Sequence, residues 1–379
     1  MEDFENQYKD SSSKYMQGEL PSLPPEFDSI IKSLDKEREI AYKKTKGLFK
    51  KSFIKVWLGV IAITTITVFI FSGDRSIIFG VGGFLGAAAS AIGAGTYTLL
   101  KKGSALIDIS LKMKKELVSK IVKVVNPALD FSEKGVSKEE YEKAGLVSGS
   151  KFKSEDSITG TINGQNVIIS ECQLTTYRSG NRNSGTSTSS VEVTFNGVFI
   201  QLELSSINLS SPLTVIPSFA LSSDFIKVLG SFKTNQPTLA SYRVKVEEKD
   251  KISIDPALQK SEYEFFCKDK QVATSFINQA RLKILDYIFD KYKDERESST
   301  NSFLKDFPIN LDKNARSGVY ISFVGNKLNL ALDWNEDLFE VNALKESIEE
   351  TGLAQKVYRD LLFINQIINE VSLLDKVNG

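Results

Sequence analysis

The sequence predicts an α+β membrane protein. It has an N-terminal two-helix transmembrane hairpin on a helical stalk, then a mainly antiparallel β-sheet domain packed with helices. Three observations predict it. Two long uncharged apolar runs lie between Lys55 and Lys101. From about Ser150 the apolar period changes from 3.6 to 2, the mark of half-buried strands. Later, two segments return to steps of three and four residues, the mark of helices.

Residues 1–25 are polar and broken by Ser11, Ser12, Ser13, Pro21, Pro24 and Pro25. With few aliphatics to offset ordering entropy, they read as a disordered tail. A cytosolic helix is expected over 26–52, its face formed by Phe27, Ile30, Ile31 and Leu34, with Glu26 and Asp28 complementing the helix dipole. The hairpin follows at 53–100, as spans 53–72 and 77–100 joined by Gly73, Asp74, Arg75 and Ser76. Each span is long enough for the roughly 20 residues that cross a hydrocarbon core. In the second span Gly82, Gly86 and Ser90, and Gly83, Ala87, Ala91 and Gly95, recur every four residues, a spacing that suits close helix approach or self-association. Lys43, Lys44, Lys46, Lys50, Lys51 and Lys55 precede the hairpin, and Lys101, Lys102, Lys112, Lys114 and Lys115 follow it, against Arg75 alone at its tip. That bias predicts a multi-pass protein of the cell inner (cytoplasmic) membrane with both termini cytoplasmic. A stalk helix over 103–126 carries Leu106, Ile109, Met113, Leu117, Ile121 and Val124, and Asn126-Pro127 stops it.

The soluble α+β domain is expected over 145–334. Gly325-Asn326 as a two-residue turn pairs Phe323 with Leu328, Ile321 with Leu330 and Val319 with Leu332. Asn163-Gly164 pairs Gly160 with Val167 and Ile158 with Ile169. Asn196-Gly197 allows either a third hairpin or one long strand kinked at Gly197. Residues 179–190 read as a polar loop, where Arg178 and Arg182 suggest surface rather than phosphate binding. Further strands are expected at Thr214–Ile216, Arg243–Val246 and Tyr263–Cys267. A helix from about Lys270 to Tyr292 would bury Ala273, Phe276, Ile277, Ala280, Ile284, Tyr287 and Ile288. C-terminal helices over 336–378 include one from about Leu353 whose seam, Val357, Leu361, Ile364, Ile368 and Val371, faces the body or a second copy.

Phe152, Asp156, Gly160 and Glu171, followed by Phe195, Gly197 and Phe199, resemble a bacterial membrane-protein family filed as domain of unknown function 3137. The likeness spans roughly residues 130–340 and weakens after Pro217. It implies two spans near the N-terminus before a large α+β part, and it implies no activity. The two glycines read as turn or bulge positions and the phenylalanines as core.

The chemistry available is narrow. The chain has no histidine, which excludes Ser-His-Asp and Cys-His nucleophiles and His-ligated metals. Lys+Arg 48 balances Asp+Glu 48, so no basic surface points to nucleic acid. Cys172 and Cys267 read as reduced, partly buried thiols, with a single disulfide as the alternative. Glu2, Asp3 and Glu5 replace the basic start of a secretory signal. In the Asn163-Gly164 register Asp156 opposes Glu171, an acid couple expected to be solvated, neutralised by Lys151 or Lys153, or bridged by a cation. No catalytic, cofactor-binding or metal residue is assigned. The expected role is a membrane-anchored, cytosolic-facing interaction or scaffold protein without enzymatic activity. Its partners would be the lipid bilayer and a protein or a second copy. The alternative is a tethered lipid or small-ligand sensing domain.

Overall fold

A computed structural model describes residues 22–40, 43, 54, 57, 58, 61, 111–112, 114–178, 190–217, 246–255, 263–300, 318–333, 339 and 352–377. The chain forms two compact units. One comprises Leu23–Leu117 and Glu340–Ala354; the other comprises Met1–Ser22, Val118–Phe339 and Gln355–Gly379.

In the smaller unit, helix α1 (26–40) buries Phe27, Ile31 and Leu34, the stripe that its spacing predicts. Lys112, itself helical, donates to Glu37 at 3.1 Å. Helix α2 (114–125), whose residues from Val118 onward are part of the larger unit, ends at Asn126, whose amide donates to the Val122 carbonyl.

The expected transmembrane hairpin requires correction. Among the described residues no helix is long and apolar enough to cross a membrane, so the fold class is a sheet with helices. The multi-pass placement in the inner membrane loses its basis with it. Absence of charge over twenty residues is what a span needs, but it does not by itself place a helix in lipid. The longest described helices carry charges at intervals that a hydrocarbon core would not admit, as at Lys356, Arg359, Asp360 and Glu370. Of residues 53–100 only Ile54, Trp57, Leu58 and Ile61 are described; the small-residue stripe of the second span, the tail over 1–21 and Arg182 lie outside the described residues.

In the larger unit nine strands among the described residues make one sheet, ordered β1-β2-β3-β4-β9-β8-β5-β7-β6, with every pairing antiparallel. The strands are β1 (Leu129–Ser132), β2 (Lys151–Ile162), β3 (Gln165–Arg178), β4 (Ser190–Glu203), β5 (Leu209–Pro217), β6 (Lys251–Ile252), β7 (Tyr263–Cys267), β8 (Val319–Gly325) and β9 (Lys327–Asp333). Helix α3 (Lys138–Lys143) lies between β1 and β2, α4 (Lys270–Phe276) and α5 (Gln279–Thr300) between β7 and β8, and α6 (Leu353–Ser372) after β9.

Both turn registers derived from sequence are present, Gly160↔Val167 with Ile158↔Ile169 and Phe323↔Leu328 with Val319↔Leu332. Asn163 and Gly164 both have positive φ, 53° and 82°, as a type I′ turn demands. At the other turn Gly325 has φ 63° and Asn326 is not positive, the type II′ pattern. Asn196-Gly197 is not a turn: β4 runs through it, and the irregularity falls instead at Thr194, between the pairs Leu174↔Phe195 and Thr175↔Val193.

The expected single helix from Lys270 is two. Ile277 is extended (ψ 110°), and Asn278 starts α5 by accepting the Arg281 amide on its side chain and the Leu282 amide on its carbonyl. The break rotates the buried stripe to Leu282, Leu285, Ile288 and Tyr292, and it leaves Ala280 exposed. These helices cover one sheet face. Phe276 meets Phe323 at 4.5 Å between ring centroids, and Phe289 stacks on Tyr263 at 4.7 Å. Short α3, held by the Ser137–Glu140 capping box, covers part of the other face through Tyr141, 5.2 Å from Phe199. Helix α6 has no exposed residue from Ala354 to Ser372, and Gln366 donates to the Tyr287 hydroxyl of α5 at 2.7 Å.

Two glycines fix the β1 side of the sheet. Gly160 has φ 154°, and a Cβ there would sit 2.1 Å from the Ala128 carbonyl oxygen. A Cβ on Gly135 would come within 2.7 Å of the Ser154 backbone. Gly160→Ala must therefore push β1 away and adopt a strained φ. Urea denaturation should show a loss of about 1–3 kcal/mol; an unchanged midpoint would mean that β1 does not pack there.

Candidate functional site

Phe195 and Phe199 are core residues, as expected, and Phe152 packs against the same cluster. Gly197 sits in mid-strand between Cys172 and Asp333 rather than at a turn or bulge. The acid couple is not formed as derived. Between Ser154↔Cys172 and Ser157↔Ser170 the register slips, so Glu155 and Asp156 together oppose Glu171. The bulge turns Asp156 inward, where it is 3% exposed, and leaves Glu155 outside, bonded to Lys153 at 2.7 Å. The expected one-to-one pairing of Asp156 with Glu171, and the solvation of Asp156, are thus corrected. The segment before α3 crosses this bulge: Ser157 donates to the Lys134 carbonyl at 2.7 Å, and the Val136 amide donates to Ser170 Oγ at 3.2 Å. Among the described residues no three Asp, Glu or Cys side chains converge as a metal ion requires.

Both cysteines are buried and free. Burial pushes the Cys172 thiol up to about 12, although hydrogen bonding with Ser154 and Ser170 acts in the opposite direction. A thiol so protonated is a poor nucleophile. Tyr141 lies in the same cluster, and burial raises its hydroxyl well above the phenol range.

Polar side chains meet in two places. On the sheet face under α3, Gln201, Asn329, Ser322 and Thr214 are successive partners across β4, β9, β8 and β5. Gln201 donates to Asn329 at 2.8 Å, Asn329 to Ser322 at 3.4 Å, and Ser322 to the Ala144 carbonyl. Lys327 caps the row by donating to Gln201 at 2.9 Å. Neutral amides and hydroxyls in such a row hold elements in register; they do not transfer protons at neutral pH.

The second place is a clasp on the C-terminal segment. Asp375 accepts from the Ser205 amide at 2.9 Å, the Ser206 amide at 2.5 Å, Ser205 Oγ at 2.6 Å and Gln165 Nε2 at 2.9 Å. Asn163 adds donations to Asn369 at 3.0 Å and to Ser372 at 2.8 Å. Two consecutive backbone amides converging on one carboxylate form an anion nest. Partial burial raises the Asp375 carboxyl, but the Ser205 and Ser206 donors outweigh it and hold the group well below the usual carboxylate range. Sequence reasoning passed over the clasp: Ser205-Ser206 after a strand is a turn signal, but nothing local ties it to an acid 170 residues away.

Two outcomes follow. A carboxyl lowered in the folded state stabilises the fold above its unfolded value, near pH 4, and that stability fades as pH falls toward the folded value. Asp375→Asn should cost about 1 kcal/mol at pH 7, since solvent screens a partly exposed site. The gap to the wild type should narrow below about pH 4 in parallel urea titrations; a gap independent of pH would refute a charge-based clasp. A colourimetric thiol reagent at pH 8 should leave both cysteines unmodified until the chain unfolds.

No curated protein matches the chain. Residues 300–373 match a family model whose description is "Protein of unknown function (DUF3137)". The matched stretch contains the β8–β9 hairpin and α6, and it overlaps only the end of the region, 130–340, over which the resemblance was read. The quoted residues from Phe152 to Phe199 lie outside it. The likeness to that family, described as protein of unknown function DUF3137, thus rests on residues 300–373, where the β8–β9 hairpin and α6 lie.

Proposed function

We propose that this chain is an interaction or scaffold protein that engages a protein partner through an apolar helical face of its smaller unit. The observation that carries this reading is the exposure of Ile54, Trp57 and Leu58, at 48%, 59% and 57%. All three are helical, and steps of three and four residues place them on one side of a helix. Scattered exposed aliphatics need no explanation, but an indole flanked by two branched aliphatics on one face is the composition of a binding anchor. Amphipathic helices dock into apolar grooves through this spacing.

The larger unit supports the same reading. Its buried Cys172 thiol is held protonated, its polar row is made of neutral amides and hydroxyls capped by Lys327, and its Asp375 carboxylate is engaged. No reaction is part of the proposed role. A photoreactive phenylalanine analogue at position 57 of the full chain, irradiated in cells, tests it. The expected product is a discrete polypeptide adduct that Leu58→Asp abolishes. Adducts with phospholipid alone, or a polypeptide adduct indifferent to Leu58→Asp, would overturn it.

A further inference from the structure

Arg281 stands in the first turn of α5 and is 9% exposed. Its Nη1 donates to the Phe276 carbonyl at 2.9 Å and its Nη2 to the Val377 carbonyl at 3.0 Å. The guanidinium lies over the Phe276 ring, 4.6 Å from the centroid. Its Nε is buried and donates to nothing. Burial lowers the Arg281 pKa, and among the described residues no carboxylate acts against that effect.

A guanidinium removed from water ordinarily meets a carboxylate, because an unmatched buried charge is strongly unfavourable. Here both partners are main-chain carbonyls, whose partial charge does not neutralise a cation. The position adds to the deficit. The start of a helix carries partial positive charge, and the first turn of α5 contains no acidic residue. Asn278 satisfies the Arg281 amide with its side chain and the Leu282 amide with its carbonyl. The amides of Gln279 and Ala280 come before these and, like those of any first helical turn, have no acceptor within the helix. Among the described residues, a cation with an unused Nε–H thus stands in the first turn of a helix that carries no acidic residue there.

We infer that Arg281 and the start of α5 form a binding site for a small tetrahedral oxyanion of the phosphate type. The Nε edge of a guanidinium matches two oxygens of such an ion, and the helix start adds amide donors and a favourable dipole. The depth of Arg281 selects a small free ion over a macromolecular phosphate. The site differs from the Asp375 nest, which already holds its carboxylate.

Titration calorimetry of the full chain with inorganic phosphate, in a buffer free of other oxyanions, tests the site. One ion should bind per chain. Arg281→Gln should weaken binding by at least about tenfold, and Arg281→Lys, which keeps the charge but loses the planar edge, should weaken it by a smaller factor. If Arg281→Gln fails to fold, Arg281→Lys and Gln279→Pro serve; the latter removes one helix-start amide where proline is tolerated and should also weaken binding. Absence of phosphate binding to the folded wild type, or equal affinity in Arg281→Lys and wild type, would overturn the site.

Discussion

Strands β4 and β5 are joined by residues 204–208 and still do not pair. Between them lies the β8–β9 hairpin, which brings residues 319–333 into the middle of the sheet, β9 against β4 and β8 against β5. Without that hairpin the sheet is two pieces, β1–β4 and β5-β7-β6, each with a long unpaired edge. The register is set from both sides: Ile200 pairs with Leu330, Leu330 with Ile321, and Ile321 with Val215, all apolar and all on the helix-covered face. A one-residue slip would turn every one of these side chains toward the opposite face. The Leu204 amide, donating to the Asn326 carbonyl at 2.8 Å, fixes the tip of the hairpin to the end of β4.

The two faces of this sheet solve different problems. The helix-covered face is aliphatic and aromatic, so it contributes through burial and ring packing. The face under α3 admits Gln201, Asn329 and Ser322 because each link between them is made, ending on the Ala144 carbonyl. Buried amides that find partners add directional specificity, whereas the same amides left open would destabilise the fold. At the far end of the chain, Asp375 and Asn369 anchor the segment around α6 to the turns after β2 and β4, so the last helix is held at its polar end as well as by packing.

Much of the sheet was legible because hairpins are local. Asn163-Gly164 and Gly325-Asn326 fix their own registers by turn geometry, and β7 and α6 lie where their periodicities place them. What was not legible depends on contacts distant in sequence. The bulge that buries Asp156 goes with a crossing chain at Gly135, and the position of β8–β9 between β4 and β5 leaves no local mark. Some signals were present and not weighed. Ser137 and Glu140 spell a capping box, and Asn278 before Arg281 spells a helix start. The apolar runs of 53–100 predict spans by their length, their lack of charge and the lysines that flank them, criteria that describe what lipid permits rather than where a chain goes. The Asp375 nest and the Arg281 site were beyond sequence reasoning because each joins groups through the fold.

The interleaved strand order also bears on how the chain must be made. During synthesis β4 is complete while its β9 partner still lies roughly 120 residues ahead of the translating ribosome, an interval of about 6–24 s at ordinary elongation rates. Throughout that interval a strand rich in valine and phenylalanine presents an open backbone edge, the geometry that templates intermolecular pairing. Production of the intact protein thus depends on shielding a nascent edge until the ribosome delivers the hairpin that closes it.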